Sequence, residues 1–263
     1  MARAALTARV QWQANEWYRM SRLTPADFAE FYEGFGSPLA RYDCGRKCAP
    51  LNGGEPVCCS TQNAVPVAER AEWDLLRSRT DLWSKFKPYD APTRKIVAEL
   101  EKTCVAIECK GVAHCERDNR TIACRAFPFF PYINRRREFV GLSIYWDFED
   151  RCWVMSNLQI VDRHYVAEFV ATFEKIFARD QSEFDTYVTF SASMRRVFSR
   201  WQRKIPLIGR DGSHNVVLPG TGEIRPIRPE QHAKQGPFRS EAAYRRAIKA
   251  EGGTVPPEGL APV

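Results

Sequence analysis

The sequence predicts an α+β fold that is mainly helical, with irregular cysteine-rich loops and a short β segment. Apolar residues recur at helical spacing in several stretches, most clearly in 161–179 and 182–203. Residues typical of β-strands are concentrated in one stretch, 138–146, where one or two short strands are expected. The nine cysteines fall mostly in segments with Gly, Asn and Pro, which favour loops.

The first 35 residues are predicted to be helical. Thr24 is a favourable N-cap, Pro25 suits the first position of a helix, and Gly36 is a typical helix end. The other helices are predicted at 66–78, 91–102, 161–179, 182–203 and 240–250.

The composition changes after residue 204, which predicts a cysteine-rich domain over residues 1–204 and a basic, Gly/Pro-rich extension over residues 205–263. Short β-like pieces are expected in 205–238, and disorder is expected in 251–263. From Met194 onward there are 13 Lys+Arg against 6 Asp+Glu, so the whole net charge of +7 belongs to this end. Such a segment is a solvated basic tail, or it contacts an acidic protein partner or nucleic acid.

The bulk composition bounds the class of protein. A chain of 263 residues with 44% hydrophobic and 27% charged residues is typical of a globular protein. No apolar run is long enough to span a bilayer, and the N-terminal residues lack the apolar core of a signal peptide. We therefore expect a cytoplasmic protein with no membrane partner. Because thiols are kept reduced there, nine cysteines indicate metal ligation or thiol chemistry rather than disulfides.

The cysteines form two groups and one separate residue. The first group is Cys44-x3-Cys48-x9-Cys58-Cys59, the second is Cys104-x4-Cys109-x5-Cys115-x8-Cys124, and Cys152 stands alone. Thiolates are soft ligands, and four of them suit zinc or an iron–sulfur cluster. The predicted metal ligands are Cys44, Cys48, Cys58, Cys59, Cys104, Cys109, Cys115 and Cys124. Cys152 is either a further ligand or a packed thiol.

The adjacent pair Cys58-Cys59 bears on the kind of metal. Neighbouring side chains are expected to diverge, so a cluster with several corners uses such a pair more naturally than a single ion does. The paired Cys-x2-Cys spacing of many zinc sites is absent. An iron–sulfur cluster, such as 4Fe–4S, is therefore the first expectation and Zn²⁺ is the alternative.

The order of these motifs resembles the CxxCxxCC family of zinc- or iron-chelating proteins, often called YkgJ-like. The family pattern C-x-I-Y-x-x-R-P-x-x-C-R-x-[FY]-P-F corresponds here to the stretch from Cys115 to Phe129, and the match is close in Cys124-Arg125-Ala-Phe127-Pro128-Phe129. Arg120 stands at the family's arginine and Thr121 replaces its proline. The resemblance covers roughly residues 40–132 and implies metal binding. The family includes flagellin lysine-N-methylase, whose relatives are associated with an iron–sulfur cluster and S-adenosylmethionine.

Three functions follow as hypotheses. The first is an iron–sulfur protein with a redox or catalytic role, in which Arg120 and Arg125 offset the negative charge of the thiolates. The second is a zinc-binding interaction protein whose metal only folds the loops. The third, implied by the resemblance alone, is an S-adenosylmethionine-dependent protein lysine methylase. His114, beside Cys115, is either a substitute ligand or a surface side chain.

Overall fold

The computed structural model describes residues 23–256. Within this range there are eight α-helices. They are α1 (Pro25–Glu33), α2 (Gly45–Cys48), α3 (Arg70–Arg79), α4 (Ala91–Ala98), α5 (Ile122–Ala126), α6 (Arg163–Arg179), α7 (Gln181–Arg200) and α8 (Glu241–Ala250). The start of α1 is as predicted, because the Thr24 side chain accepts a hydrogen bond from the Asp27 backbone N–H and the Asp27 carboxylate accepts one from the Thr24 backbone N–H. The expected helix before Thr24 and the expected disorder after Pro256 lie outside the described residues.

Eight strands form two antiparallel sheets within the described residues. The strands are β1 (Val67–Glu69), β2 (Trp83–Lys85), β3 (Cys104–Cys109), β4 (Phe129–Ile133), β5 (Phe139–Ile144), β6 (Ile205–Gly209), β7 (His214–Val217) and β8 (Ile224–Pro226). The larger sheet has the order β4-β5-β6-β7-β8, and the smaller one has the order β1-β3-β2.

The edge strand β4 is buried along its whole length because α7 lies against it. The Ser191 hydroxyl accepts a hydrogen bond from the Ile133 backbone N–H (2.9 Å), and Arg195 donates to the Ile133 carbonyl (2.8 Å). These side chains satisfy backbone groups that an edge strand would otherwise leave unpaired. Pro131, which lacks an N–H donor, is tolerated at this edge.

The smaller sheet positions part of the cysteine-rich segment. Its central strand β3 pairs with β1 at one end, where Cys104 lies opposite Glu69, and with β2 at the other, where Cys109 lies opposite Trp83. Side chains alternate along a strand, so two cysteines five residues apart point to opposite faces of the sheet. The sheet therefore separates these two thiols.

The prediction of a mainly helical fold with one short β segment is wrong, because the α+β architecture contains two sheets. The β5 strand and the β-like pieces after residue 205 were anticipated. The strands β1 and β2 have only three residues each, too few to show a clear alternation. β3 is interrupted by cysteines and a glutamate, and β4 contains a proline that argues against a strand.

The C-terminal residues are joined to the rest of the fold. Strand β6 pairs with β5 through Leu142 and Ile208, so residues on both sides of the predicted division at 204/205 share one sheet. Helix α8 contacts the turn Ala49–Leu51, and the Tyr244 hydroxyl donates a hydrogen bond to the Lys47 carbonyl (2.8 Å). None of the helices described is both long enough and apolar enough to cross a membrane.

Candidate metal centre

The first pair of cysteines lies on one short helix. Cys44 directly precedes α2 and Cys48 is its last residue, so the two thiols are about one helical turn apart and share a side. Gly45 lets the next segment approach, since a Cβ added there would lie 2.9 Å from the Pro56 ring. The turn Val57–Cys59, which carries the second pair of cysteines, is thereby packed beside the first pair.

The adjacent thiols of Cys58 and Cys59 point the same way. Their Sγ atoms are 3.8 Å apart, and the structure does not show the divergence expected from their adjacency in sequence. Two sulfurs bound tetrahedrally to one zinc ion at about 2.3 Å lie roughly 3.8 Å from each other. Both thiols can therefore bind the same metal atom, either a single ion or one iron of a cluster.

Cys59 is the thiol that loses its proton most easily. The hydrogen bond donated by the Cys58 thiol and the positive charge of Arg120 lower the pKa of Cys59 to about 7, although burial opposes this. The same hydrogen bond raises the pKa of Cys58 well above its usual value. Burial is the main cause of the raised pKa values of Cys48, Cys109 and Cys124, and the negative charge of the Cys59 thiolate adds to it in each case. Cys59 is thus near thiols from three other segments.

The remaining thiols come from the end of β3, the loop that follows, and α5. Cys109 ends β3, and Cys115 follows the short turn Val112–His114. Cys124 lies in the middle of α5, where its backbone N–H donates to the Thr121 side chain (3.0 Å), the N-cap of this helix. Burial raises the pKa of Cys124 to about 12 in the metal-free protein, so its thiol needs a cation nearby to ionise.

Arg120 supplies positive charge to this group. Its Nε donates a hydrogen bond to the Cys115 Sγ (3.1 Å), and although burial alone would lower its pKa, the neighbouring thiolates raise it. Arg125 has a different role from the one expected. It donates to the backbone carbonyls of Arg120 (2.9 Å) and Asp118 (2.8 Å) and stacks on the Tyr32 ring at 4.5 Å. Arg120 therefore offsets thiolate charge, whereas Arg125 holds the loop in place.

Sequence reasoning missed the buried carboxyl group of Glu72, which is only 3% exposed. It accepts hydrogen bonds from the Tyr32 hydroxyl (2.8 Å) and from the Ile122 backbone N–H (2.7 Å), and burial raises its pKa to about 7. Because Ile122 is the first residue of α5, Glu72 helps to fix the helix that carries Cys124. The available signal was its position four residues before the buried Leu76, on the apolar face of α3.

The structure places Cys104 away from the other predicted ligands. Its Sγ lies 3.8 Å from the Glu69 carboxylate, and its pKa is raised to about 12 by burial, Glu69 and the further carboxylates Glu101 and Glu183. The charges that act on Cys104 are therefore carboxylates rather than thiolates. A thiol in such surroundings stays protonated at neutral pH.

Cys152 and His114 were left open by the sequence. Cys152 is buried, and burial is the main cause of its raised pKa. The thiolates of Cys48 and Cys44 raise this pKa further. Cys152 thus lies beside the first cysteine pair. His114 is exposed on the turn before Cys115.

Seven of the eight predicted ligands are brought together from five places in the chain: α2, the turn Val57–Cys59, the end of β3, the loop after it and α5. They are Cys44, Cys48, Cys58, Cys59, Cys109, Cys115 and Cys124. Across residues 23–256, no three His, Cys, Asp or Glu side chains stand in the arrangement of a finished metal site. The donor set nevertheless fits a thiolate-bound metal in its chemistry, since soft ligands are gathered beside one arginine. Rotation of the cysteine side chains would have to complete the coordination.

The chain matches no protein-family model, and no curated protein or solved structure matches it. The resemblance to the YkgJ-like family stays a prediction that rests on the motif from Cys115 to Phe129. The function has to be argued from the site itself.

Proposed function

We propose that this protein binds a metal centre on the thiolates around Cys59, in the first place an iron–sulfur cluster. The observation that carries the proposal is the convergence of seven thiols from five places in the chain beside one half-buried arginine, Arg120, with the pKa of one of the seven, Cys59, lowered. Unrelated buried cysteines have no reason to share a cation, whereas metal ligands must ionise together.

The proposed ligands approach from different sides. Cys58 and Cys59 supply neighbouring sulfurs, and Cys109 and Cys124 come from the smaller sheet and from α5. A bound iron–sulfur cluster would supply one-electron or Lewis-acid chemistry. The chain's own contribution is to hold the thiols on short elements and the turns between them, to place Arg120 against their negative charge, and to fix α5 through Glu72.

Zinc is the second candidate, and one observation favours it. The 3.8 Å between the Cys58 and Cys59 sulfurs equals the separation expected for two thiolates on one tetrahedral zinc ion. In that case the metal would fold the loops, and the protein would act as a binding module.

The test begins with protein purified without oxygen. We expect a brown protein with broad visible absorption that bleaches in air and contains iron and sulfide in similar amounts. A colourless protein that holds zinc would replace the cluster with the second candidate. If neither metal is present and the thiols titrate freely, the proposal of a metal centre is wrong.

The strand β3 offers a matched pair of variants. Cys109→Ser removes a proposed ligand, and Cys104→Ser removes a thiol of the same strand and similar half-burial on the opposite face. We expect the first variant to lose most of the bound metal and the second to retain it. Equal losses from both variants would contradict the placement of the site around Cys59.

A further inference from the structure

Two histidines outside the cysteine segments face each other in the C-terminal part of the structure. His214 is the first residue of β7, and His232 follows the short turn Pro229–Gln231. The His214 Nδ1 lies 3.1 Å from the His232 Nε2. His232 is only 7% exposed and His214 is half-buried. Two ring nitrogens outside the cysteine segments are thus held at short range.

The separation of the nitrogens suits a shared metal ion. Zinc binds imidazole nitrogens at about 2.0–2.1 Å, so two nitrogens on one ion lie roughly 3.0–3.4 Å apart when the angle at the metal is about 95–110°. The observed 3.1 Å falls within this range. The ring centres are 5.2 Å apart, so the two nitrogens lie close to the line that joins the rings. An ion could replace the shared hydrogen once each ring turns so that its lone pair points at the ion and not at the other nitrogen.

The surroundings keep both imidazoles in the neutral form that binds metals. Burial, followed by the nearby His214, lowers the pKa of His232 to about 4, and burial lowers that of His214 as well. Two charged side chains act on His214 from outside. The carboxylate of Glu230 favours a cation there, whereas the guanidinium of Arg163 opposes one.

A cavity of about 190 Å³ adjoins His232. Glu149 and Arg203 line it but bind each other through two hydrogen bonds of 2.8 and 2.9 Å, so neither is free to act as a ligand. Lys204 and Gln231 also line it. The space is large enough for several water molecules, which could complete the coordination of an ion held by two histidines.

We propose that His214 and His232 form a binding site for a divalent transition-metal ion of the Zn²⁺ class, with its remaining coordination positions open to this cavity. The protein would supply two donors and water the remainder. This site uses no residue of the proposed cysteine centre, so the two proposals can be tested independently.

The experiment must detect metal binding at histidine nitrogens separately from metal binding at thiols. The chain has four histidines, so the side-chain ¹⁵N spectrum of the whole protein resolves them individually. Zn²⁺ is added at constant neutral pH, beyond the amount that the thiols take up. We expect saturable shifts of the His214 and His232 ring nitrogens and an unchanged spectrum for the exposed His164.

Two variants complete the test. In His232→Ala, with folding verified from the backbone amide spectrum, the His214 resonance should no longer respond to Zn²⁺, whereas His164→Ala should leave the response intact. Ring nitrogens of the wild-type pair that stay unchanged up to millimolar Zn²⁺ would show a hydrogen-bonded pair and nothing more. Shifts confined to His114, beside Cys115, would equally overturn the proposal because the ion would then be at the cysteines.

Discussion

The two ends of strand β3 carry the same type of side chain beside different neighbours. At one end, Cys109 lies near thiols that share the charge of Arg120. At the other, Cys104 lies 3.8 Å from a carboxylate oxygen of Glu69 and near two further acidic residues. Burial and negative neighbours raise the pKa of both thiols. At Cys109 these neighbours are further soft ligands, which can share one bound cation, whereas at Cys104 they are carboxylates. The chemistry of a cysteine is set by its neighbours and not by its place in a motif.

The largest expected effect is on thiol reactivity. After metal removal, Cys59 and Cys104 are both half-buried, but with pKa values of about 7 and about 12 they differ greatly in thiolate fraction at neutral pH. The lower nucleophilicity of a low-pKa thiolate offsets part of this difference. We expect iodoacetamide to label Cys59 at least about 100-fold faster than Cys104, as measured by mass spectrometry of timed digests. Equal labelling rates would remove the contrast between the two regions.

A smaller effect concerns Glu72, which lies between the two regions and contributes to the pKa values of both Cys124 and Glu183. Burial raises the pKa of Glu72 from 4.5 to about 7, so the folded state holds a proton that the unfolded chain releases. Its contribution to stability is therefore present below about pH 4.5 and is lost as the pH rises through about 7. The loss is up to about 3 kcal/mol at pH 8.

Glu72→Gln tests this directly. The Oε1 of glutamine can accept the same two hydrogen bonds, from Tyr32 and Ile122, without a titrating proton. In urea unfolding, we expect the variant to be more stable than the wild type at pH 8 and to lose this advantage near pH 5. Glu69→Gln is the comparison variant, since Glu69 is a half-buried carboxylate next to Cys104. A stability difference between Glu72→Gln and wild type that does not change with pH would show that Glu72 does not hold the proton.

The smallest effect is expected at Arg120. Arg120→Gln removes the cation next to Cys115 but leaves every thiol in place. Partners that contact metal ligands typically change metal affinity by about 10–100-fold when they are replaced. We expect a loss of that size in competition with a chelator, together with a higher pKa for Cys59. The exposed Arg117 provides the control, since Arg117→Gln should leave both quantities unchanged.

The sequence was most informative where a signal is local. The N-cap at Thr24 and the apolar stripes of α6 and α7 predicted these helices within a few residues. The strands of the smaller sheet were missed because their pairing is non-local, between β3 and segments at least about 20 residues away. The start of the helix predicted at 66–78 was wrong for the same reason, since Val67–Glu69 pairs with β3 and α3 begins only at Arg70.

By itself, the sequence determined that eight of the nine thiols lie in two groups, because the spacing of cysteines is a local property. The prediction that they lie in loops was wrong for Cys104 and Cys109, which are in β3, and for Cys124, which is in α5. Only the tertiary structure decided which thiols meet. It turned Cys104 towards carboxylates and brought Cys152 beside Cys44 and Cys48. It also buried Glu72 under α5. The physical reason is that a pKa and a coordination sphere depend on distances through space, which strand pairing and helix packing set and sequence separation does not.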